Sequence, residues 1–142
     1  MKKLDEAGRK HLTAEEGVRL HAYQDEKSIW TIGTGNTYYE DGSPVKEGDV
    51  ITKERVPTLL NITARDYENN INAVVKVPLN QNQFNALVEF SYNVGINGFN
   101  KSTLLKKLNA KDYTGAANQF LAWIKQPSLL PRRKRTRALF LS

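Results

Sequence analysis

The sequence of 142 residues contains no cysteine and only two histidines, His11 and His21. The absence of cysteine excludes disulfide bonds, thiolate nucleophiles and cysteine-ligated zinc. Two histidines are too few to indicate a metal cluster. We therefore expect neither a metal nor a cofactor.

Long apolar runs are also lacking. No stretch approaches the roughly 20 apolar residues that a membrane span requires. Residues 1–6 begin with basic residues, as signal peptides do, but no apolar stretch follows. We therefore expect no secretion signal, no stable membrane insertion, and folding in the cytoplasm.

The overall composition is that of one globular domain spanning residues 1–142. Hydrophobic residues make up 39% and charged residues 25% of the chain, which is long enough to bury a core. The net charge is +6, and a basic protein is attracted to polyanions such as nucleic acids, anionic membranes and bacterial envelopes. Charge alone does not choose among these partners.

The pattern along the chain predicts an α+β fold. Leu4 to Glu16 reads as a helix ended by Gly17, and residues 28–32 read as a strand before a turn at residues 40–44. We expect a small antiparallel sheet lobe over about residues 18–51. The remainder, about 52–142 with the N-terminal helix, is predicted to form a helical lobe, and the two lobes to flank a cleft.

The helical part has several start and stop signals. Thr52 is a predicted N-cap for a helix running to about Val75, which Pro57 is expected to kink. Asn80 and Gln83 resemble a capping box that opens a central helix. Further predicted boundaries are an end at Gly95 and Gly98, helices at about 101–109 and 113–125, and a last helix beginning near Pro131.

Paired carboxyl groups are the residues that glycoside hydrolysis generally needs. One carboxyl protonates the leaving oxygen, and the other activates water or stabilises positive charge on the sugar. Asp25 in the polar sheet segment is a candidate base, and Glu15 or Glu16 at the end of the first helix is a candidate acid. Most of the 15 acidic residues are expected to be ordinary solvated charges.

Four collinear blocks of the sequence carry a resemblance to a known family. Glu16, Asp25 and Thr31 are separated by eight and five intervening residues. The blocks are Glu16-Gly17-Val18-Arg19-Leu20 to Trp30-Thr31-Ile32-Gly33-Thr34-Gly35, then 78–95, 102–123 and 132–140. Together they resemble the phage-type lysozymes, which are endolysins or muramidases of glycoside hydrolase family 24.

The resemblance implies a lysozyme-like fold and hydrolysis of the β-1,4 bond between N-acetylmuramic acid and N-acetylglucosamine, causing cell lysis. It assigns Glu16 as the general acid, Asp25 as the residue that orients or deprotonates the water, and Thr31 as a residue that holds this water. It also implies inversion at the anomeric carbon, which requires roughly 6.5–9.5 Å between the carboxyl groups. The Glu-Gly order of the motif favours Glu16 over Glu15.

The same resemblance suggests five substrate-binding residues: Gly33, Gly35, Tyr92, Asn93 and Arg132. The glycines could let a sugar approach the backbone, or they could serve turns only. Tyr92 could face the sugar or belong to the core, and Asn93 could bind an N-acetyl group. Arg132 matches an arginine that packs near the catalytic glutamate in the family, or it is one member of a basic helix face.

Three positions depart from the family pattern. Asn36 stands where a histidine is usual, so we expect stability near neutral pH to depend less on protonation there. Residues 26–29 lack a common glycine, so the turn after Asp25 is expected to differ. Thr136 stands where glutamate is usual, which makes residues 132–137 strongly basic.

Several alternatives follow from the residues. The basic run could bind nucleic acid, but no recognition motif accompanies it, so we predict instead steering toward anionic envelope polymers. A non-hydrolytic peptidoglycan-binding module would have no need of Glu16, Asp25 and Thr31 together. A lytic transglycosylase would leave an anhydro product without using water. The resemblance implies a monomer that stays in the host cytoplasm until a separate holin releases it to the cell wall.

Overall fold

The computed structural model describes all 142 residues and divides into two compact units. Residues 9–65 form the sheet unit, and residues 1–8 with 66–142 form the helical unit. None of the helices is both long enough and apolar enough to cross a bilayer. The elements in chain order are α1 (Glu6–Glu16), β1 (Arg19–Gln24), β2 (Trp30–Gly33), α2 (Val56–Val74), α3 (Gln81–Val94), α4 (Ile96–Asn100), α5 (Thr103–Asn109), α6 (Tyr113–Gln119) and α7 (Leu130–Leu141).

The sheet unit contains the predicted antiparallel sheet, formed by two strands. Tyr23 of β1 pairs with Thr31 of β2, and Gln24 pairs with Trp30. Buried aliphatic side chains from the sheet, the following loop and the start of α2 form the core of this unit: Ile32, Val45, Ile51, Val56 and Leu59. The predicted fold class, mainly helical with a small antiparallel sheet, is confirmed.

A hydrogen bond between Tyr39 and Asp49 closes the loop that follows the sheet. The Tyr39 hydroxyl donates to Oδ2 of Asp49 at 2.6 Å, and the backbone N–H of Lys46 donates to the same oxygen at 2.9 Å. Burial, together with the carboxylate of Asp49, raises the pKa of Tyr39 to about 12. The Tyr39 hydroxyl in turn lowers the pKa of Asp49.

The start of α2 differs from the sequence prediction. Thr52 is extended and makes no capping hydrogen bond, and a short 3-10 turn at Lys53–Arg55 precedes the helix. Because α2 begins only at Val56, Pro57 lies in its first turn, where no intrahelical partner for an N–H is lost. The predicted N-cap at Thr52 and kink at Pro57 were therefore wrong.

The helical unit is organised around α3. Every residue of this helix from Phe84 to Ser91 is buried, so the helix is covered on all sides. The predicted capping box is confirmed, because Asn80 accepts from the Gln83 N–H and Gln83 accepts from the Asn80 N–H. Phe90 sits in an aromatic cluster, with ring centroids 5.1 Å from Phe120 and 5.5 Å from Trp123. Edge-to-face contacts of this kind stabilise a core beyond the apolar area that they bury.

Other helix boundaries shift by a few residues for local reasons. Asp5 accepts from the Gly8 N–H, so α1 begins at Glu6 rather than at Leu4. Gly95 ends α3 with a φ of 90°, but Gly98 lies inside α4 and ends nothing. The helix predicted over 101–109 begins at Thr103, after the N-cap Ser102, and the one predicted over 113–125 already ends at Gln119.

A buried carboxylate joins α3 to α7. Glu89 is fully buried, and its Oε2 accepts from Nε and Nη2 of Arg132 at 3.2 and 2.9 Å. The Thr136 hydroxyl donates to Oε1 of the same carboxylate. The basic run is therefore not a uniformly solvated face, because Arg133 and Thr136 are buried as well.

Thr136→Glu should destabilise the protein, because it places a second carboxylate against buried Glu89. We expect the free energy of unfolding to fall by about 3 kcal/mol, in the range for a broken buried ion pair. Chemical denaturation measures the effect. Thr136→Ser, which keeps the hydroxyl, is the control, and Glu89→Gln in the Thr136→Glu background should restore part of the loss. Full stability of the single variant would contradict this account.

The Tyr39–Asp49 pair predicts pH dependence at both extremes. Because the folded pKa of Tyr39 lies above its ordinary value of 10.0, its stabilisation is present below pH 10 and is lost as pH rises toward about 12. Because the pKa of Asp49 is lowered from 3.8, its stabilisation is present above that value and is lost on further acidification.

Tyr39→Phe should flatten both limbs of the pH–stability curve, as thermal unfolding across this range would show. Tyr38→Phe is the matched control, since the neighbouring Tyr38 is half exposed. A wild-type-like curve for Tyr39→Phe would refute the assignment.

Candidate active site

The end of α1 places Glu16 close in sequence to the sheet. Gly17 adopts a φ of 81°, a conformation that favours glycine, and this ends the helix at Glu16. The chain then enters β1 at Arg19. Glu15 and Glu16 are both half-buried, so exposure does not separate the two candidate acids.

Asp25 directly follows β1, and backbone groups fix its carboxylate. Its Oδ1 accepts from the N–H groups of Lys27 at 2.8 Å and Ile29 at 2.9 Å. Neither donor uses Oδ2, so that oxygen is left for another partner. The turn holds Ser28 at a φ of 64°, a left-handed conformation that residues other than glycine rarely adopt.

Thr31 lies in β2 with 4% of its surface exposed. Its hydroxyl donates to the carbonyl of Ile29 at 2.9 Å, and the Asp25 N–H donates to the same carbonyl at 2.9 Å. A hydroxyl that donates one hydrogen bond still has lone pairs that accept another. The backbone of Ile29 thus holds Asp25 and Thr31 together, with one acceptor oxygen available on each.

Gly33 and Gly35 have φ values of 66° and 93°, so the backbone itself requires glycine-like conformations there. A Cβ on Gly33 would approach Oδ1 of Asn36 to 3.2 Å. Asn36 is 1% exposed, and its Nδ2 donates to the carbonyl of Leu59 at 2.9 Å. A neutral amide therefore ties the turn after β2 to α2.

The other three predicted substrate-binding residues lie in the helical unit. The ring of half-buried Tyr92 packs against that of Tyr67, with centroids 4.9 Å apart and the ring planes tilted by 41°. Asn93 is exposed, and its Oδ1 accepts from Arg133. The side chain of Arg132 is 12% exposed and pairs with Glu89, so Arg132 is not part of a solvated basic face.

Sequence reasoning missed Arg133, which lines a pocket of about 340 Å³ in the helical unit together with Asn93 and Trp123. Arg133 lies in the basic run 132–137, and nothing in that run indicates that its guanidinium alone is almost fully buried. The helical period alone would have indicated that consecutive residues point about 100° apart and cannot all face solvent. The structure contains no group of three or more side chains that could hold a metal ion.

Comparison with known proteins adds independent findings. A family model described as "Phage lysozyme" matches residues 13–136. The endolysin of Salmonella phage P22 is 45% identical over 146 aligned positions, which cover 100% of both chains. A crystal structure of a P22 lysozyme variant matches with a TM-score of 0.94 at 44% identity over 100% of both chains. The muramidase domain of SpmX from Asticaccaulis excentricus matches with a TM-score of 0.87 at 32% identity, covering 100% of this chain and 99% of that one.

Asn36→His should make stability pH-dependent, because it places a titratable ring at a buried site. Burial disfavours the charged imidazole and lowers its pKa, so stability should fall as pH drops below about 6.5, by up to about 1.4 kcal/mol for each unit of pKa shift. Unfolding measured between pH 5 and 8 tests this. Asn36→Ser, which cannot titrate, is the control. If the histidine variant keeps the wild-type pH profile, the interpretation fails.

Proposed function

The chain belongs to the phage lysozyme family, and we propose that it hydrolyses the β-1,4 bond between N-acetylmuramic acid and N-acetylglucosamine in bacterial peptidoglycan. The proposed catalytic residues are Glu16, Asp25 and Thr31. The observation that carries the proposal is the shared contact of Asp25 and Thr31 with the backbone of Ile29. Oδ2 of Asp25, directly after β1, and the hydroxyl oxygen of Thr31, in β2, can each accept one hydrogen bond from a water.

In the proposed reaction, Glu16 donates its proton to the glycosidic oxygen as the bond to the anomeric carbon breaks. A water attacks that carbon from the opposite face. Oδ2 of Asp25 takes a proton from this water, while Oδ1 stays hydrogen-bonded to the two backbone N–H groups. The Thr31 hydroxyl oxygen accepts the second hydrogen of the water. A water held between the carboxylate and the sugar gives inversion.

We further propose that Gly33, Gly35, Tyr92, Asn93 and Arg132 contribute to substrate binding. Gly33 ends β2 and Gly35 follows it, and the absence of side chains there allows close approach to the backbone. Arg132 would act from a fixed position, because Glu89 holds its guanidinium through two hydrogen bonds.

Release is part of the same proposal. We propose that the protein acts as a single catalytic domain and a monomer, stays in the host cytoplasm after synthesis, and reaches the cell wall through a lesion made by a separate holin. The net charge of +6 would favour its encounter with anionic envelope polymers.

The decisive test compares wild type with Glu16→Gln on purified peptidoglycan. General acid catalysis typically contributes at least about 100-fold, so the variant should lose about that much activity or more. Glu15→Gln, on the same half-buried turn, is the matched control and should stay within about twofold of wild type, as expected for a group outside the chemistry. Circular dichroism would verify that each variant is folded.

Product analysis separates the reaction classes. Reducing ends with an inverted anomeric configuration, observed by NMR before mutarotation, would support the proposed mechanism. Anhydro ends would indicate a transglycosylase and remove the role proposed for the water. A folded wild-type protein that binds peptidoglycan without releasing fragments would instead indicate a binding module.

A further inference from the structure

The helical unit contains a pocket in which the proposed function assigns a role to Asn93 but none to Lys125 or Arg133. Its volume of about 340 Å³ lies within the usual range for ligand pockets. Its apolar lining includes Trp123 and Leu129, and its polar lining includes Asn93, Lys125 and Arg133. The lining residues include two cations and no acidic residue, so the pocket suits a group that accepts hydrogen bonds.

Arg133 is built into the wall of this pocket. It is 1% exposed, and its Nε donates to the backbone carbonyl of Trp123 at 2.8 Å. Its Nη2 donates to Oδ1 of Asn93 at 2.5 Å. The guanidinium also lies over the ring of Phe90, 5.2 Å from the centroid, in a cation–π contact. These contacts come from two segments, α3 with Phe90 and Asn93 and the chain after α6 with Trp123, and they hold the guanidinium in one orientation.

The contact determines how Asn93 presents its amide. A guanidinium has donors and no acceptor, so Asn93 must turn Oδ1, and not Nδ2, toward Arg133. Nδ2 then points away from Arg133, on a residue that is exposed. An asparagine without such a partner could flip its amide and present either Oδ1 or Nδ2 to a ligand. Because Oδ1 of Asn93 faces Arg133, Asn93 presents the donor Nδ2.

We propose that Arg133 is a positioning residue for the lysozyme reaction: it fixes the Asn93 amide so that Nδ2 donates to an acceptor oxygen of the glycan substrate in this pocket. The inference rests on the proposed function, in which Asn93 contacts substrate. The acceptor is a carbonyl or carboxylate oxygen, carried either by an acetamido group or by the peptide substituent of the glycan. Lys125, on the same pocket, is a second donor to such a group.

A double-mutant cycle on KM tests the proposal. Arg133→Gln introduces a side chain that both donates and accepts, so the Asn93 amide is no longer fixed. KM for soluble peptidoglycan fragments should rise about tenfold, the size of one lost hydrogen bond, with little change in kcat. Asn93→Asp keeps the contact with Arg133 but removes the donor, and it should raise KM by a similar factor. In the Asn93→Asp background, Arg133→Gln should then add no further increase.

Two further variants separate positioning from a general structural role. Arg133→Lys retains a side chain that only donates, so it should recover most of the KM lost in Arg133→Gln. Arg137→Gln removes a similar arginine-to-asparagine contact on the same helix, in which Arg137 donates to Oδ1 of Asn118 at 2.8 and 3.1 Å. It should leave KM unchanged. Thermal unfolding of every variant would show whether it is folded at the assay temperature.

The outcomes are distinct. If Arg133→Gln raises KM equally with and without Asn93→Asp, or lowers kcat alone, the positioning role is refuted. If Arg133→Gln does not fold, the proposal stands when Arg133→Lys gives a smaller increase in KM than Asn93→Asp and falls when Lys gives an equal one. An inactive wild type would refute the proposed function instead, so the two failures are separable.

Modified substrates identify the source of the acceptor oxygen. Glycan strands freed of peptide by an amidase keep the acetamido groups, and de-N-acetylated strands keep the peptide. The KM penalty of Asn93→Asp should disappear on the substrate that lacks the recognised oxygen. A penalty of the same size on both would show that Nδ2 recognises neither group, and this would overturn the proposal.

Discussion

The helical unit depends on the satisfaction of one buried charge. Glu89 is fully buried at the centre of α3, where an unpaired carboxylate would cost several kcal/mol. Arg132 and Thr136 supply the hydrogen bonds that this carboxylate needs, and both belong to α7. The last helix must therefore pack on α3 in one register. Apolar contacts alone would restrict this register less strictly.

At the same interface, some of the positively charged side chains of α7 make contacts inside the protein. Glu89 and Asn93 are four residues apart and so lie on one face of α3, where they bind the consecutive residues Arg132 and Arg133. The run 132–137 thus has two parts: the first arginines make contacts within the fold, while Lys134 and Arg135 are exposed. Electrostatic attraction to a polyanion depends on the exposed cations of the chain, and formal net charge does not distinguish them from the internal ones.

Part of this could be predicted from the sequence because the signals were local. The Asn80–Gln83 capping box that opens α3 and the turn at residues 40–44 depend on residues within a few positions of one another. The start of α2 could not be read in this way. Thr52 has a side chain suited to capping, but the chain forms a 3-10 turn first and the helix begins at Val56. The residues on either side of this turn, Ile51 and Val56, pack into the core of the sheet unit. That core includes residues distant in sequence, so the local pattern around Thr52 does not show where the helix begins.

The catalytic residues illustrate the same distinction. Spacing and resemblance singled out Glu16, Asp25 and Thr31, but they did not indicate how the side chains are held. The structure shows that one residue of no chemical distinction, Ile29, organises two of them through its backbone, accepting from Asp25 and Thr31 and donating to Asp25. Every residue has the same backbone carbonyl, and every residue except proline has the same N–H, so a sequence motif does not show which backbone groups make these contacts. The turn also holds Ser28 at a φ of 64°, which serine adopts at some cost while the hydrogen bonds to Asp25 remain.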